Sequence, residues 1–398
     1  MFKKSLVAVA VLGAAAFSAQ AAEVTMYGVI DTGLQFQDTS YDFGQYDSIV
    51  GDVDESSFKM SSGVNSGSRF GLKGTEDLGN GLKLGFVLEN GFDSDDGELG
   101  QGSRLFGREA QVNISGTFGT IAAGRMGNLV SGNGSFGLAG NLSPFGTSWG
   151  DYSAAANNVM TTFDRYDNTL TYKSPKFAGF NAYAQYSFGT DSKNDFGGTE
   201  GKSSVDRYAA LGVTYAAGPL NLVAIIDQTN YSDKRWNAGV NPNADVDDAM
   251  SFTMGGSYDF GVAKLYAAGQ YFKDAMIDSV DRISSDDFAV TEGDLFQMKG
   301  YGLTLGADIP LAGGTFKVGT AYMDGTVETV NKWNMADLAV GEIDLTRWNT
   351  SVGYHYPLSK RTAVYGVTSY SYNNVEANQN IDIDVNVIEA AVGLVHKF

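Results

Sequence analysis

From Val24 onward the apolar residues of this chain fall on every second position, and almost nowhere on every third or fourth. In "EVTMYGVIDTGLQFQ", Val24, Met26, Ile30, Leu34 and Phe36 share one parity, while Thr25, Tyr27, Asp31, Gln35 and Gln37 share the other. Successive side chains of a strand point to opposite faces, so this is a strand with one apolar and one polar side. The pattern returns in "NTLTYKSP", where Leu170 and Tyr172 oppose Thr169, Thr171 and Lys173. It returns again in "RWNTSVGYHYP", where Trp348, Val352, Tyr354 and Tyr356 oppose Arg347, Asn349, Ser351 and His355. A chain built this way is all-β. Two architectures satisfy it. A soluble sandwich or propeller turns the apolar faces inward; a membrane barrel turns them outward, toward lipid.

The connections favour the barrel. Seven are short and turn-like: "TEDLGNG" near Gly79, "SGTFGT", "SPKFAG", "AAGP", "YDFGVA", "IPLAGG" and "YPLSKR". Each closes a hairpin. With one strand before the first hairpin and one after the last, the count is sixteen. Between the hairpins lie longer polar stretches, such as 38–55, 190–203, 232–247, 275–294 and 326–342. An even strand number, short turns at one end and long loops at the other describe an outer-membrane barrel. Closure also removes the sheet edges that a hydrocarbon environment forbids. Aromatics gather near the short turns (Phe177, Phe180, Phe260, Trp348, Tyr354, Tyr356), where an interfacial girdle is expected.

The first residues point to export. Lys3 and Lys4 precede "SLVAVAVLGAAAF" and then "SAQA", with Ala19 and Ala21 at the small-residue positions. That is the layout of a cleaved signal peptide, residues 1–21, leaving 22–398 as the barrel. The apolar run is short for a spanning helix, which needs about 20 residues. The chain has no cysteine, which excludes a disulfide scaffold and thiolate metal sites. Its formal net charge of −19 argues against nucleic acid as a partner, since phosphate binding needs stripes of Lys and Arg. The acid is concentrated in "DTSYDFGQYDSIVGDVDES" and "DAMIDSVDRISSDDFAVTEGD". As external loops these would repel anions at the mouth within a Debye length of about 8–10 Å. They could also hold divalent cations that bridge lipopolysaccharide; no other cofactor is called for.

Several stretches together resemble the general porins of Gram-negative bacteria, and most closely the β-proteobacterial type: "VTMYGVIDTGL", "SGSRFGLKGTEDLGNGLKLGFVLENGF", "SRLFGREAQVNISGTFGTIAAGR", "RYDNTLTYKSPKFAGFNAYAQYSFG", "LSKRTAVYG" and "VGLVHKF". They run in order from Val24 to Phe398. The resemblance implies a 16-stranded antiparallel transmembrane barrel, a homotrimer, and a third long loop folded inward to narrow the pore. It implies passive diffusion of ions and small hydrophilic solutes. It also implies that the terminal aromatic, Phe398, is read by the barrel assembly machinery.

The third long connection runs from about 126 to 162 and is far longer than an ordinary connection. Asp151 is its one charged side chain. Exposing its Leu129, Phe136, Leu138, Phe145 and Trp149 to water would be costly. Arg69 shares parity with Gly71 and Lys73, and Arg165 with Asp167, Thr169 and Thr171, so both face the lumen. Arg125 ends the strand that enters the loop. These three match the family's basic cluster, as does Arg108. The parity of Arg108, however, groups it with Ala110, Val112 and Ile114, on what reads as the lipid side. A charge there costs about 2–4 kcal/mol at the midplane, so either a bulge resets the alternation before Ala110 or the lumen face is apolar here. Asp151, Asp164, Asp167 and Glu89 are candidates for the acidic counterpart. The family often carries acid close to "SPFG"; here Ser143 precedes Pro144 and the loop is nearly neutral.

Other motifs carry less. "GNGSFG" satisfies G-x-G-x-x-G without the helix or βαβ unit that a dinucleotide site requires. "GDVDES" lacks the spacing of a calcium loop. His355 and His396 are the available bases, both near the short-turn end, with no nucleophile motif beside them, so no enzyme is expected. Two alternatives to general diffusion are a substrate-specific channel for a sugar or organic anion and a non-conducting structural or adhesion barrel. Finally, in "IEAAVGLVHKF", Ile388, Val392, Leu394 and Phe398 share the apolar parity. Phe398 is expected on the lipid side, in the strand that closes the barrel against Val24.

Overall fold

The computed structural model describes residues 23–44, 53–193, 198–232, 246–276, 296–329, 343–377 and 381–398. The expected leader, part of the first acidic run (45–52) and most of the second (277–294) lie outside them. All strands belong to one antiparallel sheet whose first and last members pair, so the sheet is a closed barrel. Its strands are β1 (Glu23–Asp42), β2 (Val53–Ser62), β3 (Arg69–Gly79), β4 (Leu82–Gly91), β5 (Glu109–Gly116), β6 (Gly119–Gly127), β7 (Arg165–Lys173), β8 (Phe180–Ser187) and β9 (Arg207–Ala217). They continue as β10 (Leu220–Asn230), β11 (Ala249–Asp259), β12 (Lys264–Met276), β13 (Phe296–Leu311), β14 (Gly314–Thr329), β15 (Ile343–Pro357), β16 (Thr362–Ala377) and β17 (Ile381–Lys397).

Among the described residues, seventeen strand segments make sixteen staves. β2 pairs with the second half of β1, from Thr32 to Tyr41, and β3 with its first half, from Glu23 to Val29. The two lie end to end along one neighbour, as a single stave broken between Ser62 and Arg69. Counting hairpins gives the right number of staves but passes over this break.

The local rules are visible at the turns. β3 and β4 are joined through Asn80 and Gly81, with φ of 52° and 77°. Positive φ at both central residues is what a tight hairpin of the right twist requires, and Asn-Gly adopts it most readily. All seven expected short turns join their expected strands.

The two faces of the sheet have opposite chemistry. Leu34, Phe36, Leu170, Leu211, Met254 and Val392 stand exposed on the outer face. Gln35, Thr169, Thr171, Thr253, Gln270, Ser351 and Glu389 are buried on the inner one. That inversion of a soluble fold identifies the outer surface as lipid-facing. Phe177, Phe180, Phe260 and Tyr356 stand exposed at the short-turn rim, with Phe180 tilted against Tyr215 and Tyr258 against Phe260, ring centres 4.5 Å apart in each pair. Trp348 differs from the expectation: it sits in the far half of β15, where its ring lies edge-on to Tyr370 and its Nε1 donates to Thr320 Oγ1 at 2.7 Å.

Candidate functional site

The connection between β6 and β7 occupies residues 128–164 and contains two short 3-10 turns, Ala139–Asn141 and Ala156–Asn158. Its Leu129, Val130, Leu142, Phe145, Trp149, Val159 and Met160 are almost fully buried. Covering such side chains is worth about 1.5–3 kcal/mol each. What covers them is the inner face of the sheet. A Cβ added to Gly306 would meet Pro144, one on Gly319 would meet Phe145, and one on Gly353 would meet Phe145 and Trp149. At Gly302 the backbone of Val159 comes so close that no side chain fits. Glycines inside a strand often mark such a close approach.

Polar inner-face side chains take up the segment's backbone groups. Gln270 Oε1 accepts from Thr161 N at 2.6 Å, and Ser351 Oγ accepts from Ala154 N at 2.8 Å. The Glu389 carboxylate accepts from the backbone N–H of Asp151 at 2.8 Å and of Tyr152 at 3.0 Å. Arg347 Nη1 donates to Asn158 O at 3.0 Å. Bonds of this kind reach the segment from β5, β8, β12, β14, β15 and β17.

Beside the segment runs a cavity of about 1060 Å³. Its walls include Arg69 at the start of β3, Glu89 on β4, Arg108 just before β5 and Arg165 at the start of β7. Glu89 gathers three of the surrounding groups. Its carboxylate accepts from Arg108 Nε at 2.7 Å and from Tyr27 OH at 2.9 Å, and lies 3.8 Å from Arg69 Nε. Arg69 Nη1 donates to Gly67 O at 2.8 Å. Arg165 Nη2 donates to Asn133 Oδ1 at 2.7 Å, while its Nε has no hydrogen-bond partner among the described residues. Charged groups in the wall comprise six Lys or Arg side chains against Glu89, Glu109 and Asp308.

The ambiguity over Arg108 is resolved by where β5 begins. Arg108 precedes the strand, in a bend, and is not subject to its alternation; Glu109 is the first strand residue and points inward, accepting from Ser135 N at 3.0 Å. Arg125 stands apart from the cavity wall. Its Nη1 donates to Asp167 Oδ1 at 2.6 Å and its Nε to Gly107 O at 2.7 Å. A bulge between Gly124 and Met126, with Gly124 at φ 139°, turns it away from the regular alternation.

Of the acidic candidates, only Glu89 lies in the cavity wall. Asp151 sits on the side of β1 and β2, accepting from Gln35 Nε2 at 3.2 Å and lying 4.0 Å from Lys59 Nζ. Asp164 accepts from the N–H of Arg165 at 2.6 Å. Asp167 is shared by Arg125 and Arg104, the latter also bound to Asp191 at 2.6 Å. Partial burial alone would lower the Arg104 pKa; Asp191 and Asp167 outweigh it, and the guanidinium titrates above its ordinary value.

Sequence reasoning passed over Glu109, Lys73 and Lys317, all in the cavity wall. Lys317 Nζ donates to Pro144 O and to Asp308 Oδ1, both at 2.8 Å, and lies 5.4 Å from the centre of the Trp149 ring. Its parity with Thr315 and Gly319 was the available signal. The two histidines have ordinary neighbours: His396 Nδ1 lies 2.9 Å from Thr362 Oγ1, and His355 packs against the edge of Trp149.

The chain is similar over its whole length to known proteins. Residues 8–376 match the model of the family described as Gram-negative porin. An outer membrane porin protein of Bordetella pertussis is 35% identical, with both chains covered completely. Outer membrane porin protein 32 of Delftia acidovorans is 32% identical over 93% of this chain and 90% of its own. Among solved structures, an anion-selective porin from Comamonas acidovorans superposes with a TM-score of 0.63 at 27% identity, covering 95% of this chain and all of its own. With its closed sheet, apolar outer face and polar interior, the chain belongs to the Gram-negative porin family and is a β-barrel of the outer membrane.

Proposed function

We propose that this porin is a general-diffusion channel in which residues 126–162 narrow the lumen and Arg69, Arg108 and Arg165 line the narrowest passage. Small hydrophilic solutes cross it passively, and anions are preferred. The observation that carries this reading is the excess of basic over acidic side chains around the cavity beside the segment. Guanidinium groups stay charged at any relevant pH. In a narrow passage with low-dielectric walls their field is focused rather than dispersed. Glu89 offsets part of it and holds Arg69 and Arg108 near one another. Arg125 acts in this reading as a brace for the wall and not as a contact for solutes.

The anion selectivity named for the Comamonas acidovorans structure supports the same sign here. Removal of a leader at Ala21, assembly into a homotrimer and recognition of Phe398 by the assembly machinery complete the proposal, on the strength of family membership. The test is a planar bilayer under a salt gradient. Discrete conductance steps are expected, with a reversal potential of the sign of anion preference. A protein that inserts without conductance overturns the channel reading, and a cation-signed potential overturns the selectivity. Gel mobility before and after boiling tests the trimer.

A further inference from the structure

The break in the second stave is built around one carboxylate. Val29 of β1 pairs with Arg69, and Thr32 with Ser62, so two residues of β1 face six residues of the partner stave. The surplus, 63–68, leaves the ladder. Asp31, fully buried on the inner face, holds it there. Asp31 Oδ2 accepts from the backbone N–H of Asn65 at 2.9 Å and of Ser66 at 2.6 Å. Its Oδ1 accepts from Tyr365 OH, on β16, at 2.6 Å. Its backbone C=O accepts from Gly63 N at 2.9 Å, and its N–H donates to Ser68 Oγ at 3.1 Å.

The displaced residues touch three parts of the passage. Val64 O accepts from Trp149 N at 2.6 Å and from Gly150 N at 3.0 Å, and Ser148 Oγ donates to it at 3.1 Å. Residues 148–150 of the β6–β7 segment therefore rest on this bulge. Gly67 O accepts from Arg69, and a Cβ on Gly67 would stand 3.0 Å from Arg108 Nη1. A β-bulge commonly re-aims side chains next to a functional site. Here a buried carboxylate captures two successive backbone N–H groups, and the loop so fixed is the seat of both walls.

From this geometry we infer that Asp31 is a positioning residue of the pore: through the bulge 63–68 it sets the register of Trp149 against Arg69 and Arg108, and so fixes the width and the field of the passage. The inference rests on the channel reading above. Asp31 itself lies outside the cavity wall and meets no solute. Asp31→Asn keeps the size of the side chain but leaves one acceptor oxygen in place of a carboxylate that takes three donors.

The test is single-channel recording of wild type, Asp31→Asn and Tyr365→Phe, each first shown to be heat-modifiable on gels. Wild type is expected to show one well-defined open level. Asp31→Asn is expected to lose it to a spread of sub-levels, with a reversal potential moved toward zero. Tyr365→Phe, which removes the third hydrogen bond alone, is expected to show the same change in smaller measure. A folded Asp31→Asn channel with the wild-type level and potential overturns the inference while leaving the channel reading intact. A silent wild type would instead overturn that reading. If Asp31→Asn gives no folded barrel, Tyr365→Phe decides: added sub-levels support the inference, and an unchanged record overturns it.

Discussion

Phe398 closes the barrel on Gly28. Each residue donates its backbone N–H to the carbonyl of the other, both at 3.1 Å, and the Phe398 ring lies over the Cα of Gly28 where a side chain would stand. Phe398 thereby pins the last strand to the first. The same position would bring a Cβ to 2.7 Å from Arg69 O. Gly28→Ala is therefore expected to overpack the seam and lower barrel stability by about 1–3 kcal/mol. The midpoint of the heat-modifiable gel transition measures it. Removing the ring as well, in Gly28→Ala/Phe398→Ala, should cost less than the two single changes added together, because the ring is part of the clash.

Arg69, Arg108 and Arg165 are expected to behave differently from Arg125. Replacing the first three with Ser, singly and then together, should move the reversal potential progressively toward cations; Arg108→Ser also removes the charge-assisted bond to Glu89 and should cost stability as well. Arg125→Ser removes the charge-assisted bond to Asp167 and the bond to Gly107 O. It should leave selectivity near wild type and cost about 1.5–3 kcal/mol for the charged hydrogen bond. Equal shifts in potential from all four variants would remove the distinction between wall and brace.

Much of this was legible in the residues, for a physical reason. Period-two alternation carries the strand count and the facing of most side chains, so Arg69 points inward as its parity requires, whereas Arg165 reaches the cavity wall beyond the bulge that breaks its alternation with Thr169 and Thr171. Parity fails where the ladder does. Arg108 precedes its strand, Arg125 follows a bulge at Gly124, and 63–68 leaves the sheet altogether. None of these has a periodic signature. Lys317 was missed although its parity was readable, because nothing in the sequence marks that Pro144 comes to rest on it. Glycines such as Gly302 and Gly353 were the unread signal: inside a regular strand, on the inner face, they announce that another backbone passes there.

Selectivity should also depend on salt in a way that separates the passage from the mouth. The Debye length is about 10 Å at 0.1 M and about 3 Å at 1 M. Charges of the exposed outer loops are largely screened at high salt, whereas those in a narrow passage act at contact range. Raising salt on both sides at a fixed gradient should therefore lift the repulsion of anions by acidic loops and leave the anion preference of the passage in place or raised. A sign reversal between low and high salt would place the dominant charges outside the passage.

The last prediction concerns the seat of the inward segment. Gly302 on β13 faces Val159 so closely that any side chain collides with that backbone. The neighbouring bonds, from Thr161 N to Gln270 and from Arg347 to Asn158 O, hold the segment at the same level. A strand in a closed barrel cannot retreat without breaking two ladders, so the segment has to move instead. Gly302→Val is expected to insert as a barrel, because β-branched residues suit strands. It should displace residues 156–161 from the wall, shift the unitary conductance and weaken selectivity together. Gly300 lies two residues away on the same face but meets the backbone of Asp324 and Gly325 on β14 rather than the segment. Gly300→Val is therefore the control: it should lower stability by crowding the ladder while leaving the reversal potential unmoved. If both variants change the channel alike, conductance is responding to strain in β13 and not to the position of the segment.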